Sequence, residues 1–262
     1  MTLRVGVFGA VGRMGTAVCN AVLADPALEL VAAADPHHAG IDLRHANGAD
    51  TDLVVVSSSD AIDPSRVDVI VDFTQLGPAR GNLSWCAANG VHAVSGTTGF
   101  GDTDYAEFRD EFTSSNCIVA PNFAIGAVLM MRFAELAAPW FESAEVIELH
   151  HDAKVDAPSG TAMLTVERMA AASAQWSPDP TTNEVLPGAR GAKGPAGIPV
   201  HSVRLRGVVA HQEVLFGTTG QSLTIRHDSY DRASFMPGVV LAVKQVPTRP
   251  GLTIGLDQLL DL

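Results

Sequence analysis

An apolar run, Leu3–Phe8, leads into Gly9-Ala10-Val11-Gly12-Arg13-Met14-Gly15 and then a helical stretch, Gly12–Ala24, that Asp25-Pro26 stops. No other feature constrains the fold as tightly. Glycines permit the tight turn and let the backbone approach a pyrophosphate, and the helix start supplies free N–H groups and a positive dipole end. The spacing is GxxGxxG, not the commoner GxGxxG, so the turn needs support from its surroundings. Glu29–Ala34 reads as a second strand, and Asp35 closes it 20 positions after the last glycine. A carboxylate at that place can accept from ribose hydroxyls. The competing reading is a glycine-rich strand–helix turn that binds nothing.

The rhythm continues. Leu53–Val56, Val67–Asp72, Val91–Ser95 and Ile118–Ala120 read as apolar strands, and Ala79–Asn89 and Thr103–Ser114 as helices. Continuous apolar strands alternating with helices predict a parallel sheet covered on both faces. The long apolar helix Ile125–Phe141 breaks this pattern. After it, Ala144–His151 alternates like a strand, Thr161–Ala174 is helical, and Trp176–Ile198 reads as a long loop rich in Pro, Gly and Ala. Val200–Leu205, Glu213–Phe216 and Ser222–His227 then suggest an antiparallel sheet, followed by a helix, Ala233–Val246, and a short tail. The expected fold class is α/β: a Rossmann-type doubly wound parallel sheet, residues 1–122 plus 232–262, with an α+β domain, residues 123–231, inserted into it.

Composition narrows the function. A 47% hydrophobic content supports a sizeable core, and the net charge of −12 argues against nucleic acid or an anionic membrane surface as the main partner. An anionic substrate would have to be caught by local cations against that field. No apolar run approaches the roughly 18 residues of a membrane span. Met1-Thr2-Leu3-Arg4-Val5 shows no signal-peptide pattern, and Cys19, Cys86 and Cys117 are scattered without a CxxC, which together suggest a reducing cytoplasm.

Two loops fall where strands of such a sheet should end: Gly96-Thr97-Thr98-Gly99 and Ala120-Pro121-Asn122-Phe123. Ligands of doubly wound sheets bind at those ends, so both are candidates for the nicotinamide half of a dinucleotide. Ordinary turn chemistry is the alternative for each. The run Glu148–Ala162 concentrates more chemistry. His150 and His151 end a strand and point to opposite faces, so they should differ in role. Lys154 can swing back toward them. Ser159-Gly160-Thr161 opens a helix whose free N–H groups and hydroxyls suit a carboxylate. A metal is not expected, because back-to-back histidines with only Asp152 as an extra ligand fall short of the usual three or four. Cys117 could be the thiolate of a semialdehyde-type dehydrogenase, but its apolar strand favours a buried small hydrophobe. Arg204, Arg206, His211, Arg226, His227 and Arg232 can face solvent or line a pocket, and nothing in the pattern singles one out.

These motifs resemble the 4-hydroxy-tetrahydrodipicolinate reductase family, formerly called dihydrodipicolinate reductase. The resemblance rests on the Arg-Met-Gly ending of the glycine turn, Gly96-Thr97-Thr98-Gly99-Phe100, Ala120-Pro121-Asn122-Phe123 and the block from Glu148 to Ala162. Pro187-Gly188-Ala189-Arg190-Gly191 and Val209-Ala210-His211-Gln212-Glu213-Val214 are similar to its actinobacterial branch. One departure is visible: Asp152 and Ala153 stand where relatives often carry a further His before the lysine, but His150, His151 and Lys154 keep their register. The resemblance implies lysine and diaminopimelate biosynthesis, with hydride delivered from NADH or NADPH to C4 of a small cyclic dicarboxylate and a hydroxyl lost as water. It implies His150 as proton donor or acceptor, Lys154 as a donor, and His151, Ser159, Gly160 and Thr161 in substrate binding. Gly9, Ala10, Val11, Gly12, Arg13, Met14, Asp35 and the two further loops would hold the cofactor. A homotetramer built through the sheets of the inserted domain is implied as well. A non-catalytic nucleotide sensor of the same fold is the remaining rival.

Overall fold

The computed structural model describes residues 2–260. It divides into two compact units, one built from the chain up to Phe123 together with the chain from Phe235 onward, the other spanning Ala124–Ser234. The first unit begins with β1 (Leu3–Phe8), α1 (Arg13–Ala24), β2 (Leu28–Ala34), a short α2 (Leu43–Asn47), β3 (Val69–Asp72), α3 (Leu76–Ala88), β4 (His92–Ser95), α4 (Asp102–Glu111) and β5 (Cys117–Val119). The second contains α5 (Ile125–Ala137), β6 (Ser143–His150), α6 (Gly160–Ala172), β7 (Ala192–Lys193), β8 (Pro199–Arg204), β9 (Ala210–Thr218) and β10 (Gln221–Ser229). The chain then returns to the first unit with α7 (Met236–Gln245) and β11 (Leu252–Ile254).

The first unit is a six-stranded sheet in the order β11-β5-β4-β3-β1-β2, parallel throughout. Its strands have no polar face to give to water, and every residue of β3 and β5 is buried. That is the signature of a sheet covered on both sides. Phe8, Ile70, Leu83, Phe108, Phe112 and Val119 form one of its core clusters. Each such side chain contributes about 1.5–3 kcal/mol on burial. The strand order reverses beside β1, so the glycine turn after β1 lies where a crevice opens at the carboxyl ends of the strands.

One sequence expectation fails here for an identifiable reason. Leu53–Val56 is not a strand: it makes only isolated bridges, Val56 to Ala34 and Val54 to Asp42. Val55 is buried while Val54 is 52% exposed, so the run has one covered side instead of two. The short tail, conversely, does contribute a strand, because β11 pairs in parallel with β5.

The second unit is a five-stranded sheet in the order β10-β9-β6-β8-β7. It is mixed and not antiparallel as the sequence suggests, because β6 and β8 run parallel. The reason is the intervening α6, a crossover long enough to bring the chain back in the same direction. Ala144, Val146 and Glu148 form the buried row of β6. Val146, Val200, Val214 and Phe216 pack with Ala134, Val166 and Met169 from the helices. Glu148 continues that apolar row as a carboxylate with no exposure at all. Among the described residues, no helix is long and apolar enough to cross a membrane.

Candidate active site

At the glycine turn, Gly9 has φ 70°, and its carbonyl accepts from the Gly12 N–H at 3.0 Å. Gly12 is the N-cap of α1 and offers no side chain as a cap, so the first N–H groups of the helix, from Arg13 and Met14 onward, have no partner within it. A side chain at Gly15 would put its Cβ 2.0 Å from the Gly9 carbonyl oxygen. Glycine is therefore what lets α1 start hard against the turn. Ala10 is fully buried and its carbonyl is held by Asn47 Nδ2 at 3.0 Å, while Arg13 is exposed and Val11 and Met14 are half-buried. Free N–H groups, close backbone approach and a positive dipole end fit a pyrophosphate. Asp35 directly follows β2 and is 7% exposed; its Oδ1 accepts from the His37 N–H and faces His38 Nδ1, each at 3.0 Å.

The other two loops sit on the same carboxyl edge, after β4 and β5. Thr97 is buried and donates its hydroxyl to Asp72 Oδ1 at 2.8 Å, while Gly96 is half-buried and Thr98 exposed. Ala120 and Phe123 are buried, with Pro121 exposed and Asn122 half-buried. The Phe123 ring stacks obliquely on Phe73 at 5.7 Å, and Pro121 is the residue this loop exposes. Asp72 organises this edge. It is fully buried at the end of β3 and accepts from the Thr74 N–H at 3.1 Å, the Thr74 hydroxyl at 3.0 Å, Asn82 Nδ2 at 2.7 Å and the Thr97 hydroxyl. The sequence reading passed over it, although a carboxylate closing a strand of a doubly wound sheet was the available signal.

In the second unit the basic loop hangs from β6. His150 is the last residue of the strand, two positions after Glu148 and so on the same face. Its Nδ1 lies 2.5 Å from Glu148 Oε2, and its side chain is 17% exposed. Burial lowers the His150 pKa and outweighs the Glu148 carboxylate, which raises it; Lys154 and Arg204 lower it further. His151 faces solvent. Lys154 Nζ reaches both oxygens of Asp156 at 2.7 Å. The Lys154 ammonium, chiefly by that hydrogen bond, holds the Asp156 carboxyl below its usual range.

Ser159 is placed differently from the expectation of a substrate-facing hydroxyl. It is 4% exposed; its Oγ accepts from the Ala162 N–H at 3.2 Å as the N-cap of α6, and its own N–H donates to Glu148 Oε1 at 3.2 Å. Both groups are spent on the fold because the helix start must be capped where it is buried. Gly160 is exposed, and a Cβ there would meet nothing within 4 Å. Thr161 is half-buried in the same first turn.

The structure separates the six undecided arginines and histidines. Arg204 is the register partner of His150 on β8 and forks onto Glu148, with Nη1 to Oε2 and Nη2 to Oε1 both at 2.9 Å. Arg206 pairs with Asp152 on the surface, and Arg226 pairs with Asp228 and Glu213. His211 is buried, with Nδ1 2.6 Å from Asp228 and Nε2 accepting from the Val209 N–H. His227 is half-buried beside Gly126, and Arg232 is exposed. Of the six, Arg206 reaches only the exposed Asp152 of the basic loop, while Arg204 bonds the buried Glu148 that His150 leans on. All three thiols are buried, and burial pushes Cys117 and Cys86 well above the ordinary value and Cys19 up to about 12, which argues against a thiolate nucleophile. Among the described residues no group of three His, Cys, Asp or Glu could hold a metal ion. A cavity of about 780 Å³ does exist in the second unit, lined by Glu142, Trp176, Arg190 and Phe216, but it touches none of residues 150–161.

A parallel sheet with a glycine turn and a strand-closing carboxylate, together with an inserted mixed sheet bearing a basic loop, defines a two-domain Rossmann-type oxidoreductase. The comparisons make this specific. The family model of the dihydrodipicolinate reductase N-terminus matches residues 3–123, and that of its C-terminus matches residues 126–260. The chain belongs to the dihydrodipicolinate reductase family. A 4-hydroxy-tetrahydrodipicolinate reductase of Cutibacterium acnes is 52% identical, covering 99% of each chain. One of Nocardia farcinica is 51% identical over the full length of both. The solved structure of dipicolinate-bound dihydrodipicolinate reductase from Paenisporosarcina sp. TG-14 is 42% identical, with a TM-score of 0.87 over 98% of this chain and 99% of that one.

Proposed function

We propose that this protein reduces 4-hydroxy-tetrahydrodipicolinate to tetrahydrodipicolinate with loss of water, in lysine and diaminopimelate biosynthesis. The observation that carries the reading is the loop itself: a half-buried imidazole, an ammonium and an open first helical turn lie within a dozen residues of one strand end. A reduced nicotinamide nucleotide, bound to the first unit, supplies the hydride. The departing hydroxyl needs a proton to leave as water, and His150 donates it from Nε2 while Nδ1 stays on Glu148. Lys154 is the second donor and sits next to that imidazole. The substrate's carboxylates engage the N–H groups of Gly160 and Thr161 and the exposed His151 ring, with Ser159 holding the helix start in place. General acids of this kind typically contribute about 10²- to 10⁴-fold.

Gly9–Met14 would hold the nucleotide's pyrophosphate, Asp35 its adenosine ribose, and Gly96, Thr97, Thr98 and Ala120–Phe123 its nicotinamide half. Asp35 favours NADH, since its charge repels a 2′-phosphate; Arg13 supplies a cation that keeps NADPH usable. The protein works in the cytoplasm as a homotetramer; the exposed edge strand β10 supports the association of copies. The test is a coupled assay that generates the cyclic substrate in situ and follows nicotinamide absorbance. Substrate-dependent oxidation of NADH or NADPH supports the proposal, and its absence with folded protein would reject it.

A further inference from the structure

We infer that Glu148 and Arg204 are positioning residues, a buried pair that fixes the orientation of the His150 imidazole and ties it to the anion-binding start of α6. The inference rests on the proposed role of His150 and goes beyond it. It begins with the hydrogen-bond count. A carboxylate has about four lone-pair sites, and five donors converge on Glu148, so its acceptor capacity is filled. Each oxygen takes one Arg204 N–H; Oε2 takes in addition His150 Nδ1, and Oε1 takes in addition the Ser159 backbone N–H. One half of the carboxylate therefore holds the proton donor, and the other half holds the cap of the helix that receives the substrate. The Ser202 hydroxyl also bonds the carboxylate. Arg204 adds a bond from Nη2 to the Asp156 carbonyl, which fastens the intervening loop.

A fully buried carboxylate is costly unless paired. Arg204 neutralises it, so the assembly brings no net charge to the imidazole beyond that of Lys154 and its partner Asp156. The groups facing His150 are thus Glu148 on its own strand, Arg204 on β8, and Lys154 with Asp156 on the loop. From β9 the register partner is Ala210; His211 opposes Leu149 on the other face. An ionised carboxylate can only accept, so Nδ1 carries a hydrogen and Nε2 is the nitrogen left to exchange a proton. Burial would raise the Glu148 pKa, but Arg204, Ser202 and His150 hold it below the usual carboxylate range, so the acceptor stays ionised through the working pH.

The two members should act on His150 in opposite senses. Glu148→Gln removes the negative charge and places an amide donor against the ring or the guanidinium. Arg204→Met leaves the negative charge with the imidazole as its main counter-ion. The experiment follows the His150 ring proton by NMR against pH in the full-length protein, assigned by its loss in His150→Gln, alongside steady-state kinetics. The expected result is a His150 titration displaced to lower pH in Glu148→Gln and to higher pH in Arg204→Met. Turnover should fall about 10²- to 10⁴-fold in Glu148→Gln, with the NADH dissociation constant unchanged. Arg204→Lys, which keeps the charge and loses the fork, should keep the titration near its native position and recover part of the turnover. Displacement in the same direction in both variants, or no displacement in either, overturns the inference. If Glu148→Gln does not fold, the two Arg204 variants decide between these outcomes. If the titrations shift as expected but the unaltered protein oxidises no nicotinamide with the cyclic substrate, the proposed activity falls and the positioning pair stands.

Discussion

Gly160→Ala is a sharp probe of the substrate site, because the structure separates its effect on stability from its effect on binding. The protein leaves open space at that position: a Cβ would meet no heavy atom within 4 Å. Gly160 is the first residue of α6, where alanine is the better helix former and where the unfolded chain loses freedom on substitution. Those two effects stabilise by at most about 1 kcal/mol, so the melting temperature should stay level or rise slightly. On the proposed placement of a substrate carboxylate at these first-turn N–H groups, the added methyl takes up part of the open space the carboxylate would need. A hydrogen bond to a charged group is worth about 1.5–3 kcal/mol, and each 1.4 kcal/mol is tenfold in an equilibrium constant. The Michaelis constant for the dicarboxylate should therefore rise roughly 10- to 100-fold, with NADH affinity unchanged. Thermal denaturation, an NADH titration and steady-state kinetics on one preparation measure all three. A variant as stable as the parent with an unaltered Michaelis constant would refute the placement of a carboxylate at α6. A clear loss of stability would refute the reading of Gly160 as facing open space.

Lys154→Ala should lower turnover by about 10²-fold or more while leaving the NADH dissociation constant unchanged; near-normal turnover with weakened NADH binding would make Lys154 a nucleotide residue instead. His150→Gln should lower turnover and His151→Gln should chiefly raise the Michaelis constant for the dicarboxylate, so equal losses of turnover in both would count against the division of labour. Because His150 must be protonated to donate and its pKa lies below the ordinary imidazole value, kcat/KM, which reports the free enzyme, should fall as pH rises through a point below about 6.5. The bound dianion favours the imidazolium, so the corresponding limb of kcat should sit at higher pH, and coincident limbs would contradict this. Asp35→Ala should shift the ratio of specificity constants toward NADPH, and an unmoved ratio would exclude Asp35 from the ribose site.

What the sequence reveals and what it withholds divide along the range of the interactions involved. The places in the fold of the glycine turn, Asp35 and the block from His150 to Thr161 are legible because they are locally determined: each depends on residues a few positions apart in one turn, strand end or helix start. Arg204 is not legible. It stands among five other arginines and histidines on alternating strands, and only the β6–β8 register, joining positions 54 residues apart, puts it on Glu148. Ser159 shows the limit at short range, since the pattern places it at a helix start but cannot tell a hydroxyl that caps the helix from one that meets a ligand. Leu53–Val56 looks like a strand because apolar content is visible in sequence, while the number of covered faces is a property of its neighbours.

The discontinuity of the first unit has a consequence during biosynthesis. Residues before Phe123 are made first, yet their sheet lacks β11, which closes it beside β5, until the chain has passed Leu252. At ordinary elongation rates that gap lasts on the order of ten seconds. The inserted unit emerges whole within it and can settle while its host is still missing an edge. Throughout that interval the backbone of β5, Cys117–Val119, carries an unpaired row of hydrogen-bonding groups, the kind of edge on which other chains add. A ribosome stalled short of Leu252 would hold a protein with its inserted unit assembled and its six-stranded sheet still open at one edge.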